Sequence, residues 1–121
     1  MADSKLSVVE QESGDVTTLV LTGEITLDDG DLVFRKRIHD LVDRGRFKVL
    51  LDLGGVTYID SSGIGMIAAK LKTLREHGGD MKLVHLTTRG QRLFSMTKLL
   101  LNFETFEDEE QAIKSFGFKA R

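Results

Sequence analysis

Cysteine is absent from the 121 residues. Its absence excludes disulfides and thiol chemistry, and removes the commonest ligand of zinc. Proline is absent as well, so secondary-structure elements must stop at glycines and polar clusters. No apolar run approaches the ~20 residues that span a bilayer. The opening stretch MADSKLSVVE has neither the basic nor the apolar segment of a secretory signal. A cytoplasmic protein without membrane insertion is expected. Positive charge is not in excess either, with 17 Lys and Arg against 19 Asp and Glu and a net charge of −2. Nucleic-acid binders usually carry a basic stripe, because neutralising phosphates supplies much of their affinity. The densest basic stretch, FRKRIH at 34–39, is interrupted by Ile38 and followed by Asp40. It reads as the wet side of a helix, and no nucleic-acid ligand is expected.

What remains is the composition of a globular protein, 40% hydrophobic and 30% charged. The length fits one domain, residues 1–121 with a core of about 5–118. KLSVVE and VTTLVLTG are two short β-branched segments, and the Ser-Gly-Asp between them suits a hairpin turn. Phe34, Ile38, Leu41 and Val42 recur at helical spacing until Gly45. KVLLDL (48–53) is a continuous apolar run around one acid, typical of a strand covered on both faces and ending at Gly54-Gly55. Residues 62–77 place Ile64, Ile67, Ala68, Leu71 and Leu74 on one helical face, closed by Gly78-Gly79. MKLVHL (81–86) reads as a second buried strand, 88–100 as a helix and 102–106 as a short strand. Residues 107–117 read as a last helix, acidic in its first turn with Lys114 and Lys119 toward its end. The order ββαβαβαβα predicts an α/β domain with about four helices. Its mixed sheet is mainly parallel and opens with a β-hairpin.

In such sheets the functional loops lie where strands meet helix N-termini, and VTYIDSSGIGMIAA (56–69) occupies that position. Three readings compete for Ser61 and Ser62. The first is capping, in which a side-chain oxygen accepts from an orphaned amide. Asp60 could do the same, however, and one cap needs one residue, not three. The second is a nucleophile. The elbow Gly-x-Ser-x-Gly does not match, since Ile59 and Asp60 stand two positions before the serines. His39, His77 and His85 carry no motif tying them to either serine, and Glu76-His77 lacks the second histidine of a zinc helix. His85 reads as a satisfied core histidine. No phosphate-binding loop is present, so no enzyme, cofactor or metal is expected. The third is modification, because a phosphoserine at a helix start sits against free amides and the positive end of the dipole. At 100° per residue, Ser62, Met66, Ala69 and Thr73 fall opposite the core stripe without a charge among them, as a partner-docking face would require.

These residues carry a resemblance. LDLGGVTYIDSSGIGMI (51–67), with LTGEI (21–25), GGDMKLVHL (78–86) and RLFSMTKLL (92–100) in the same order, resembles the anti-sigma-factor antagonists, the STAS-domain family of bacterial partner-switching systems. The resemblance implies that Ser61 is the phosphate acceptor. It implies that the unphosphorylated form binds an anti-sigma factor that is itself a GHKL-type serine kinase, freeing the sigma factor or other client. A PP2C-type phosphatase resets the switch, and ATP belongs to the kinase. The implied docking surface joins the helix start (Asp60, Ser62, Gly63, Gly65) to the loop after the second strand, Gly23, Glu24, Ile25, Thr26 and Asp28 among it. Family members usually have aspartate two residues after the Gly-Glu pair, where this chain has Thr26, with Asp28-Asp29 following. The alternative within the same family is a STAS scaffold subunit of a lipid-transport or stress-sensing assembly, with the serines as cap and contact.

Overall fold

The computed structural model describes residues 5–26, 29–98 and 102–117. Strands β1 (Leu6–Ser13) and β2 (Val16–Ile25) form an antiparallel hairpin. Helix α1 (Asp29–Asp43), strand β3 (Lys48–Ile59), helix α2 (Ser61–Glu76), strand β4 (Asp80–Val84), helix α3 (Thr88–Met96), strand β5 (Thr105–Phe106) and helix α4 (Glu109–Ser115) follow. The sheet order is β1-β2-β3-β4-β5, parallel from β2 onward. The expected fold class and element order are therefore found.

Alternation along β3 builds both cores. Val49, Leu51 and Leu53 face the larger one, with Phe34, Ile38 and Leu41 of α1, Ile64, Ile67, Leu71 and Leu74 of α2, and Phe94 of α3. Leu50 faces the other side, where Val16, Val84, Ala112 and Phe116 close a smaller cluster beneath α4. Three helices thus cover one face and α4 covers part of the other, which is why KVLLDL is apolar without a break.

Several boundaries move. β1 runs on to Ser13, and the turn is only Gly14-Asp15, with a positive φ at Gly14 as the type II′ class requires. The tip is pinned to β3 by Lys48 Nζ, which donates to Asp15 at 2.7 Å and holds that carboxyl below its usual pKa. The larger correction concerns β3, which does not end at Gly54-Gly55 but continues to Ile59. β2 aligns Val20 with Asp52, Thr22 with Gly55, Gly23 with Val56 and Glu24 with Tyr58, so β3 carries an extra residue twice. A Cβ at Gly55 would lie 3.0 Å from the carbonyl oxygen of Leu21. The glycine admits β2 at that distance rather than ending the strand. At the other end of the sheet, β5 is two residues long, and α3 stops at Met96 with Thr97 as its C-cap. Residues 99–101 and Lys119 lie outside the described residues.

α4 is short, and a buried lysine holds its end. Lys82 is 5% exposed. Its Nζ donates to the carbonyl and hydroxyl oxygens of Ser115 at 2.9 Å each, pairs with Glu104 at 2.7 Å and sits 4.6 Å from the centre of the Phe116 ring. A cation at a helix C-terminus meets the negative end of the dipole and unpaired carbonyls together. Lys82→Met keeps the volume and removes the donors. It is expected to cost about 1–3 kcal/mol in urea unfolding and to raise amide exchange across α4 first.

Candidate functional site

The site forms where β3 leaves the sheet. Asp60 is extended (φ −100°, ψ 176°) and caps α2, its carboxylate accepting from the Gly63 amide at 2.7 Å. The Asp60 carbonyl accepts the Ile64 amide at 3.0 Å, and the Asp60 amide donates to the Ile25 carbonyl at 3.2 Å. One residue therefore starts the helix and ties it to the end of β2. Gly63 completes the joint. It is buried over Ile25, and a Cβ there would lie 2.6 Å from the Ile25 carbonyl oxygen and 3.0 Å from its Cγ2.

With Asp60 as the cap, Ser61 and Ser62 are left over. Both are exposed in the first turn of α2, and neither hydroxyl makes a hydrogen bond among the described residues. No histidine serves them as a base. His39 lies 3.1 Å from Lys70 Nζ. His77 stacks on Phe47 at the far end of α2, about 24 Å along a 16-residue helix. His85 is not a core residue, contrary to the expectation from MKLVHL. β4 ends at Val84, His85 takes a left-handed φ of 60°, and its exposed ring sits with Nδ1 3.0 Å from Asp52 Oδ1. A side chain that cannot alternate inward at the strand end turns out to a carboxylate instead. Among the described residues no cluster of three or more His, Asp or Glu side chains is placed to hold a metal.

The docking residues named from the sequence separate into three groups. Exposed on α2 are Ser62, Gly65 and Ala69. Half-buried are Met66, Thr73, Glu24 and Thr26. Met66 packs on the rim of the main core, so the apolar outward face is narrower than the helical wheel predicts. Ile25 and Gly63 are buried and support the surface from beneath. Gly23, Glu24 and Ile25 are not loop residues: β2 extends through Ile25 because β3 extends to pair with it. Thr26 follows the strand, and Asp28 lies outside the described residues. The core stripe of α2 holds at Ile64, Ile67, Leu71 and Leu74, while Ala68 is only half-buried.

Gly65 has no internal reason to be glycine. It is exposed, and a Cβ there would meet nothing within 4 Å. Glycine inside a helix costs about 0.5–1 kcal/mol against alanine, so this fold would gain from the change. The sequence reading missed Tyr58, which is 49% exposed two residues before the cap and paired across to Glu24. The signal was the alternation of VTYI once the strand is allowed past the glycines. Behind Tyr58 a narrow apolar groove is lined by Leu53, Val56, Leu86, Arg89 and Phe94.

The two glycines of the helix start separate by experiment. Gly63→Ala is expected to destabilise by about 1–3 kcal/mol through overpacking against Ile25, while Gly65→Ala is expected to stabilise by about 0.5–1 kcal/mol. Thermal and urea unfolding of the pair checks both signs.

A family model described as the STAS domain matches residues 7–112. The anti-sigma-B factor antagonist of Bacillus subtilis is 32% identical over 91 residues, covering 75% of this chain and 81% of that one. An anti-sigma factor antagonist from Mycobacterium paratuberculosis superposes with a TM-score of 0.82 at 19% identity, covering 95% and 97% of the two chains. The Bacillus cell fate determinant SpoIIAA in its phosphorylated form superposes with a TM-score of 0.72 at 18% identity, covering 92% of this chain and 100% of that one. The chain thus belongs to the STAS-domain family of anti-sigma-factor antagonists.

Proposed function

We propose that this chain is a phosphorylation-controlled antagonist. Unphosphorylated, it binds an anti-sigma factor of the GHKL serine-kinase type and frees the sigma factor or other client. Phosphorylation of Ser61 by that same partner ends the binding, and a PP2C-type phosphatase restores it. The chain is then a binding partner and a substrate, not an enzyme, and ATP with its Mg²⁺ is the kinase's. The observation that carries the reading is the unbonded, exposed Ser61 hydroxyl on a helix start whose capping is done by Asp60. Family resemblance adds that a structural neighbour, SpoIIAA, has a phosphorylated form.

The chemistry favours a surface switch. Phosphate adds about −1.5 to −2 charges next to the Asp60 carboxylate. The amides and dipole of α2 stabilise that anion by about 1–2 kcal/mol at most. Enclosing it against a partner without a counter-charge costs several kcal/mol, because a buried unpaired charge is the most expensive group an interface can hold. Desolvation therefore outweighs the local stabilisation. Gly65 and Ala69 supply a smooth strip beside Ser61 and Ser62 on which a partner's backbone can lie close, and this explains a glycine the fold does not need.

Captured from host lysate, Ser61→Ala bait is expected to retain the kinase and Ser61→Asp bait to lose it. By titration calorimetry with that kinase, Ser61→Asp should weaken binding at least ~100-fold, or about 2.7 kcal/mol. Equal affinity for both variants would remove the electrostatic switch. Retention of one non-kinase assembly by both would replace it with the scaffold role. Gly65→Ala gives a second check: it should weaken binding by ~10-fold or more, about 1.4 kcal/mol, while leaving the fold more stable.

A further inference from the structure

The two edges of the sheet are unequally protected. β5 is two residues long and offers almost nothing to pair with. β1 is eight residues long and regular against β2 through eight consecutive pairs, with no bulge and no proline. A long regular edge presents a row of backbone donors and acceptors, and natural sheets blunt such edges with bulges, proline or charge. Among the described residues, charge is the only such device over residues 8–13, at Glu10 and Glu12, and α1 with its following turn cancels it. Glu10 lies 3.2 Å from Arg37 and 3.0 Å from Arg44, and Glu12 lies 3.8 Å from Arg46. We propose that β1 pairs antiparallel with β1 of a second copy of this chain, joining the two sheets with Val9 on the two-fold axis.

Hydrogen-bond parity restricts the register. The Glu24 amide donates to the Lys5 carbonyl at 2.9 Å, which makes Lys5 and Glu24 a hydrogen-bonded pair. Such pairs alternate along an antiparallel ladder. Ser7, Val9, Gln11 and Ser13 therefore turn their backbone groups toward β2, and the two-residue turn after Ser13 demands the same parity. Val8, Glu10 and Glu12 turn theirs outward. Two copies can pair only with outward residues facing each other, which puts the axis on a residue rather than between two, and the longest overlaps of residues 5–13 put it at Val8, Val9 or Glu10. An axis at Glu10 sets Val9 against Gln11 of the second copy and leaves the exposed valine without an apolar mate. An axis at Val8 carries Glu12 past the start of the second strand. The axis at Val9 sets Val8 against Glu10 and Ser7 against Gln11 of the second copy, with no like charges opposed.

That register also covers the apolar residue left open on the edge. Val9 is 53% exposed and pairs with half-buried Val20 on β2. On the axis it meets its mate at a non-hydrogen-bonded position, where cross-strand side chains approach most closely. Val20, Val9 and the same two residues of the second copy then form one row across the seam. The seam is a single strand against a single strand, small beside the ~1,600 Å² of a standard interface, so the dimer is weak and concentration-dependent. Its antiparallel sense points the two α2 starts in opposite directions and leaves both accessible.

Register-specific cross-linking tests this in the full chain. Val9→Cys supplies the chain's only thiol, and the ~4.5 Å Cα separation of a non-hydrogen-bonded pair lies within disulfide range. In a glutathione redox buffer it is expected to form a linked dimer at least ~10-fold faster than Gln11→Cys, whose mates would sit about 13 Å apart along the strands. Sedimentation velocity of the unaltered chain from micromolar to millimolar concentration should show a dimer that Val9→Lys abolishes, with circular dichroism unchanged. Equal cross-linking of the two cysteine variants would overturn the proposal. So would monomer at every concentration, or a dimer indifferent to Val9→Lys.

Discussion

The carbonyl of Ile25 holds the functional end of this domain together. It is the last carbonyl of β2, it accepts the Asp60 amide at 3.2 Å, and a Cβ on Gly63 would lie 2.6 Å from it. Through that one group the end of an early strand and the start of a later helix become a single surface, although 35 residues separate Ile25 from Asp60 in the sequence. The side chain of Ile25 is fully buried among the packed faces of α1 and α2, so the joint is clamped by the core beneath it. Loss of the glycine or of the extended turn at Asp60 would move Glu24, Thr26, Ser61 and Ser62 relative to one another without touching any of them. The geometry of the proposed docking surface is thus set in part by Ile25 and Gly63, which are buried beneath it.

Asp60 caps α2, so on the proposed reading capping and phosphate acceptance fall to different residues. If Ser61 were the cap, esterifying its hydroxyl would remove the acceptor that satisfies the first turn, and the signal would be tied to the stability of α2. Here Asp60, not Ser61, accepts from the Gly63 amide, so a phosphate on Ser61 would not take that acceptor away. The buried row of helix α2, Ile64, Ile67, Leu71 and Leu74, does not involve the Ser61 side chain. The switch can then act wholly at the surface, through charge and desolvation, with no second conformation of the domain. A domain of this size, marginally stable like most, gains from a signal that does not draw on its folding free energy.

Much of this was legible from the sequence, for identifiable reasons. The stripe at Ile64, Ile67, Leu71 and Leu74 and the double-sided apolar run from Val49 to Leu53 are local periodicities, and local periodicity reports burial directly. The surplus of Asp60, Ser61 and Ser62 over the needs of one cap was equally visible, although only coordinates assign the cap to Asp60. The course of β3 was not legible. Gly54-Gly55 has the local signature of a strand end, yet β2 keeps pairing past it to Ile25 and Ile59, and long-range pairing overrides a local break signal. The same extension converts Gly23, Glu24 and Ile25 from loop to strand. His85 misled for a related reason. MKLVHL reads as one apolar run, and nothing in it records that the backbone turns left-handed after Val84. Met66 shows the limit of a helical wheel, which knows the helix axis but not how high the neighbouring core rises around it.

The proposed docking and the proposed edge pairing would use different directions of the same sheet. The Ser61 surface lies at the carboxyl ends of the parallel strands, where α/β sheets place their functional loops, whereas β1 exposes its flank at right angles to that axis. The two would therefore engage different groups of the sheet, its strand ends and its flank. In an antiparallel seam the two carboxyl ends point apart, so one pair of chains would present two Ser61 surfaces to two separate partners rather than a doubled surface to one. Linked sites of that kind raise the local concentration of partners without altering either contact. Phosphorylation of one copy would still leave the other competent to bind. The hairpin, which carries none of the Asp-Ser-Ser-Gly motif, would then set how many partners one assembly engages, while the motif sets whether it engages them.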